Sequence, residues 1–252
     1  MILNFDHHLN TNSDAQTIVF IHGLFGSLSN LGMLARAFQE THHIVQIDVR
    51  NHGKSAHSNS MSYVDMAQDV LDTLNHLNIE KFTVVGHSMG GKISMKLAEI
   101  AKDRINKLIV LDMAPFAYQE RHHDSVFKAL FEVENANLTS RQEALTLMRT
   151  LLSEEMVVQF LMKSFNKGQF LFNTKALYEN YAEIISWEDV YSEVNSLFIR
   201  GGKSPYVGNE QKQQAVQKQF PNSVIETVEN AGHWLHAEKT AEVVLLMKEY
   251  LN

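Results

Sequence analysis

The sequence predicts an α/β fold: a mostly parallel central sheet with helices on both faces and an inserted helical cap. Three observations predict it. Short apolar, β-rich runs recur along the chain, amphipathic helical stretches separate them, and one long stretch carries helical patterns alone. A run that is apolar throughout suits a strand covered on both faces, as strands of parallel sheets are. Alternation of such runs with helices builds βαβ units.

In chain order, the strand runs are Thr17 to Ile21, Ile44 to Ile47, Phe82 to Val85, Leu108 to Leu111 and Leu197 to Ile199. The stretch Tyr63 to Leu77 places Val64, Ala67, Leu71, Leu74 and Leu77 on one helical face,. Another helix is expected over Lys92 to Ala101. From Pro115 to about Trp187 no strand pattern occurs. Ser140-Arg141-Gln142-Glu143 reads as a capping box, and Val157 to Phe165 as a further amphipathic piece,. Helix alone between two sheet strands predicts a cap over 115–187, set into a core of 1–114 and 188–252. The sheet resumes near Asn195 and gains a strand at Val224 to Val228. The chain closes on a helix from Thr240 to Leu251.

Composition narrows the function. Of 252 residues, 44% are hydrophobic and 20% charged, so a full core is expected rather than disorder,. A net charge of −7 opposes a phosphate backbone, so no nucleic-acid partner is expected,. The absence of cysteine removes disulfides, thiolate zinc sites and a cysteine nucleophile together,. The first residues show no basic stretch followed by an apolar one, and no long uncharged apolar run occurs. A cytoplasmic protein without a membrane span is the expectation.

Three motifs carry chemistry. Gly86-His87-Ser88-Met89-Gly90 follows one expected strand and precedes an expected helix. In that setting G-x-S-x-G is a nucleophile elbow: a sharp strand-to-helix turn that exposes the Ser88 hydroxyl. Acyl transfer also needs two N–H groups aimed at the developing oxyanion. Met89 supplies one, and the loop His22-Gly23-Leu24-Phe25-Gly26 the other, with Leu24 the first candidate and Phe25 the second. The third motif is Ala231-Gly232-His233-Trp234-Leu235-His236, late in the chain after a strand. It presents His233 as the base that takes the Ser88 proton, with His236 as a structural neighbour. Thirteen histidines are present, so placement rather than residue type singles His233 out.

These stretches, with Asp48-Val49-Arg50-Asn51-His52-Gly53-Lys54-Ser55 and the run from Gly232 to Lys239, resemble a family of bacterial serine esterases of the α/β-hydrolase fold. The resemblance spans essentially the whole chain. It implies hydrolysis of a small-molecule carboxylic ester or acyl thioester, with no cofactor and no metal. It also exposes a departure. Most members carry the triad acid just after the strand that follows the cap, where this chain has Arg200-Gly201-Gly202-Lys203-Ser204. Ser204 stands where the acid is usual. Asp112, ending the strand before the cap, becomes the expected acid, with Ser204 as an auxiliary. Asp189 and Glu229 are weaker candidates because neither ends an apolar run.

The same triad would also serve a lyase or a carbon–carbon hydrolase, and the fold alone would serve a non-catalytic ligand receptor. The turn at Asp48 to Gly53 reads as structural. The pairs His7-His8, His42-His43 and His122-His123 lack carboxylates at ligand spacing, so no metal is expected. Phe127, Phe131, Met148, Leu152, Phe160, Met162 and Phe165 are the cap side chains from which an acyl pocket would be drawn.

Overall fold

The computed structural model describes all 252 residues. Its strands are β1 (Phe5–His8), β2 (Thr17–Ile21), β3 (His43–Ile47), β4 (Phe82–His87), β5 (Ile105–Leu111), β6 (Phe165–Asn166), β7 (Gln169–Phe170), β8 (Ser196–Gly201) and β9 (Ser223–Val228). Its α-helices are α1 (Gly32–Arg36), α2 (Tyr63–His76), α3 (Met89–Ala101), α4 (Asp124–Asn135), α5 (Arg141–Leu151), α6 (Glu155–Lys163), α7 (Thr174–Glu179), α8 (Tyr181–Ile185), α9 (Glu210–Gln219), α10 (Leu235–Glu238) and α11 (Thr240–Leu251).

Seven strands form one sheet in the order β1-β3-β2-β4-β5-β8-β9. All neighbours are parallel except β1, which runs antiparallel to β3 with Phe5 opposite Ile47. The central strands are those read as apolar runs. Every residue of β2 and β4 is buried, because helices cover both faces,. Leu34, Ala35, Val243 and Met247, from α1 and α11, pack on one face. The other face, under α2, α3 and the helices between β5 and β8, carries the larger core. The outer strands are less apolar. In β1 and most of β9 exposure alternates, as on edges with one wet side,.

Local signals set the helices. Ser62 caps α2 by accepting the Asp65 N–H, and Asn78 just past its end has a φ of 57°,. The buried face is Tyr63, Met66, Ala67, Val70 and Leu74. Val64, expected inside, is 52% exposed, because Tyr63 takes the inward place in the first turn. The Ser140 half of the expected capping box forms, with Ser140 Oγ accepting the Glu143 N–H.

The stretch between β5 and β8 holds α4 to α8, but it is not free of strands as expected. The antiparallel hairpin β6–β7 pairs Phe165 with Phe170, so Phe165 belongs to a strand and α6 ends at Lys163. The turn residues Lys167 and Gly168 have φ of 49° and 90°. A two-residue hairpin needs positive φ at both, and a helix-period reading overlooks that signal. Phe172 bridges to His52 and ties this insertion to the loop after β3. Tyr63 Oη–H donates to Ile184 O at 2.5 Å and makes a second tie.

Candidate active site

Ser88 sits between β4 and α3, which begins at Met89, three residues ahead of the expected start. Its φ of 55° and ψ of −121° lie where L-residues are rarely found,. Two glycines allow the turn. A Cβ on Gly86 would stand 2.1 Å from Gly90 O, and one on Gly90 would stand 2.2 Å from Ile21 O. With strand and helix crossing this closely, the serine side chain is lifted clear of the sheet edge.

His233 lies on the loop between β9 and α10. Its Nε2 is 3.0 Å from Ser88 Oγ, and its Nδ1 is 2.7 Å from Asp112 Oδ2. Nδ1–H therefore donates to the carboxylate, and Nε2 is left to accept the serine O–H. Tyr206 stacks on the imidazole with ring centres 4.2 Å apart, which limits its rotation.

Asp112 directly follows β5 and also has a positive φ, 50°. Its side chain is fully buried, whereas that of His233 is 21% exposed. The carboxylate is satisfied from three sides. Oδ2 accepts from His233 and from the Ser204 hydroxyl, and Oδ1 accepts the Gly201 N–H at 2.9 Å. Ser204 thus bonds to Asp112 and not to His233. Asp189 bonds to Lys218 and Gln219 instead, and Glu229 is exposed; neither reaches His233.

The loop after β2 approaches the same point. A Cβ on Gly23 would lie 3.1 Å from that of Ser88. Phe25 N–H donates to His52 Nε2 at 3.2 Å and is occupied. Leu24 N–H and Met89 N–H make no hydrogen bond within the protein. Two buried histidines brace this loop. His22 Nδ1–H donates to Gly23 O, and its Nε2 accepts the Val49 N–H. His52 Nδ1–H donates to Arg50 O. Burial lowers both pKa values, that of His52 to about 3, so both rings serve as neutral cross-links,. Asp48 anchors the same turn by accepting the N–H groups of Leu28 and Lys54.

A cavity of about 630 Å³ opens over Ser88 and His233. Of the seven cap side chains singled out in sequence, Leu152 and Phe160 line it. Phe127, Met148, Met162 and Phe165 are buried in the core, and Phe131 packs on Tyr178. Phe160 also packs on Trp234, next to His233. The histidine pairs scatter: His43 accepts the Asn10 N–H, His123 bonds to Tyr181, and His122 lies beside Glu120.

Other residues at the site went unnoticed in sequence. His87 Nε2–H donates to His233 O, and its ring packs on buried His236, which burial holds down to about 3. Lys92 is buried one turn past Ser88. Its ammonium donates to Ile185 O and Ser186 O at the end of α8, among the rings of Tyr63, Tyr118 and Trp187. Burial alone lowers its pKa to about 7. A lysine inside the expected α3 was the available signal, since a cation beside two glycines and a small apolar face has little reason to be there unless it is bonded.

Residues 16–240 match the alpha/beta hydrolase fold family, and the chain belongs to it. It is 47% identical to Esterase YbfF of Escherichia coli (strain K12), over 93% of this chain and 92% of that protein. It is 33% identical to the sn-1-specific diacylglycerol lipase ABHD11 of Mus musculus, over 96% of this chain and 83% of the relative. Among solved structures it resembles a marine microorganism esterase, with a TM-score of 0.92, 28% identity and 99% of each chain covered.

Proposed function

We propose that this chain hydrolyses carboxylic esters through an acyl-enzyme on Ser88. The observation that carries the reading is the continuous hydrogen-bond line from Ser88 Oγ through His233 to Asp112 on the floor of the cavity. The chain is a carboxylesterase-type hydrolase of the α/β-hydrolase family, in keeping with its esterase and lipase relatives. The covalent step and the use of acyl thioesters are what the proposal adds.

In this reading His233 takes the proton as Ser88 Oγ attacks the carbonyl carbon. The oxyanion settles between the Leu24 and Met89 N–H groups, both free to receive it,. Asp112 keeps His233 in the tautomer with Nδ1–H and stabilises the imidazolium. His233 then protonates the departing alcohol or thiol, and a water activated by the same imidazole releases the acid. The insertion over 115–187 serves as a cap that bounds the acyl group through Leu152 and Phe160.

Labelling and turnover test this together. A fluorophosphonate should label the wild type once per chain, and Ser88→Ala should abolish both labelling and hydrolysis of p-nitrophenyl and acyl-CoA esters. Labelling that persists in Ser88→Ala would remove the assignment.

A further inference from the structure

Nucleophile, oxyanion loop and base reach the site from three parts of the sheet. Ser88 follows β4 and the oxyanion loop follows its neighbour β2, but β9, which precedes His233, lies beyond β5 and β8. The loop after β9 must therefore come back across the ends of both strands. Its first half is pinned there. Lys203 N–H donates to Ala231 O at 2.9 Å, Glu238 accepts the Gly232 N–H at 2.8 Å, and a Cβ on Gly201 would stand 2.2 Å from Gly232 O. The main chain of His233 itself takes part in no backbone–backbone hydrogen bond.

His87, the last residue of β4, fills that gap. Its Nε2 is 2.9 Å from His233 O and makes the one hydrogen bond to the main chain of the base. A carbonyl oxygen can only accept, so the proton sits on Nε2. Burial, with His236 and His233 alongside, holds the pKa of His87 well below the ordinary 6.5, so the ring is neutral at pH 7,. Its centre lies 4.8 Å from that of His233 and 4.3 Å from that of His236. The oxyanion loop lies against the same side chain: a Cβ on Gly23 would come within 3.2 Å of His87 Nδ1 and 3.1 Å of Ser88 Cβ. One buried ring thus touches the loops of base and oxyanion hole, while its own backbone leads into the nucleophile. Asp112 and Tyr206 set how the imidazole of His233 is turned. Neither holds the main chain from which that imidazole hangs.

We propose that His87 is a positioning residue for His233. Its Nε2–H, through His233 O, sets the separation of His233 Nε2 from Ser88 Oγ, which is 3.0 Å. The same base serves the attack of Ser88 and the release of the acid, so both steps depend on this tie. The inference rests on the ester-hydrolase reading above.

The experiment measures kcat and KM on p-nitrophenyl butyrate, together with the rate constant and the endpoint of fluorophosphonate labelling. In His87→Leu, which removes the donor and keeps an apolar filling, kcat and the labelling rate constant should fall together by roughly a hundredfold, the cost of about 1 Å of misplacement at a reacting centre. KM should hold, and labelling should still reach one per chain. His87→Gln, whose amide N–H reaches the place of Nε2, should recover most of the loss. His87→Asn, whose amide stops near the place of Nδ1, should not. A merely structural role would lower the labelling endpoint and leave the rate per labelled site unchanged, which would overturn the proposal. So would equal rates in the Gln and Asn variants, a comparison that stands even where His87→Leu fails to fold. A wild type that takes no fluorophosphonate and cleaves no ester would bring down the hydrolase reading and this inference with it. A labelled, active wild type matched by His87→Leu in rate per site would bring down the inference alone.

Discussion

The sheet edge that carries Ser88, Asp112 and His233 and the insertion that overhangs it are built by different rules. At the edge, strand ends fix the backbone first and side chains follow: Ser88 and Asp112 end adjacent parallel strands, β4 and β5, and each has a positive φ. In the insertion, short helices take their places by packing, through rings such as Phe127 with Tyr178 and Tyr181, and Phe170 with Phe172. The first region tolerates little displacement, because a hydrogen-bond line works only at the right distance. The second can change its lining while keeping its core. Chemistry is therefore expected to reside in the edge, and substrate preference in the insertion.

The sharpest break of that comparison is at the acid. Asp112→Asn should lower turnover by roughly four orders of magnitude, the loss seen when a triad aspartate is made neutral and the wrong histidine tautomer is held. Ser204→Ala removes one of three donors to the carboxylate and should lower turnover only about tenfold,. The double variant should be little worse than Asp112→Asn. Turnover of the three, with circular dichroism to verify folding, decides; a folded Asp112→Asn within tenfold of wild type would unseat Asp112.

A smaller effect is expected in the insertion. Phe160→Ala and Leu152→Trp should move the preferred acyl chain length in opposite directions, with several-fold changes in kcat/KM across an ester series. The rate of fluorophosphonate labelling should shift far less than in Asp112→Asn. An unchanged chain-length profile in both variants would put the acyl pocket elsewhere.

The mildest test lies where the two regions join. Lys92, on α3, holds the end of α8. Its pKa is near 7 when folded against an ordinary value of 10.5. Between those values the unfolded chain binds more protons than the folded one, so this group makes stability rise with pH from about 7 to 10.5. Below that window both states are charged and the burial penalty is fully present. Urea midpoints at pH 6.5 and 9.5 should show that rise for the wild type, and Lys92→Met should reduce it. Equal pH dependence in the two proteins would mean that Lys92 keeps an ordinary affinity for its proton.

The same contrast explains what could be read from the sequence. The central strands were legible because burial on both faces leaves only apolar residues, as in Thr17–Ile21 and Phe82–His87. The meeting of Ser88, Asp112 and His233 was legible because each stands directly after a strand or in a glycine-flanked loop that chain order brings to one edge. β1 was not, because Phe5-Asp6-His7-His8 is an edge with one wet side and little apolar signal. The β6–β7 hairpin was lost inside a helical pattern, since two-residue strands carry no periodicity. The contacts of His87, Lys92 and His123 were missed for a further reason: they depend on partners far along the chain, His233, Ile185 and Tyr181, which spacing does not reveal.

The backbone at Ser88 also bears on how this protein could be hardened against heat. Relief of a φ of this kind contributes about 1–3 kcal/mol, while the added freedom of glycine in the unfolded chain takes back about 0.4–1 kcal/mol,. Ser88→Gly is thus expected to melt above the wild type while hydrolysing nothing. Asp112→Gly would not share that gain, since it strands the donors of Gly201, Ser204 and His233. A breeding programme that rewarded thermal survival alone would drift toward a sturdier, inert chain at residue 88. Only a selection that couples heating to ester turnover keeps the serine in place.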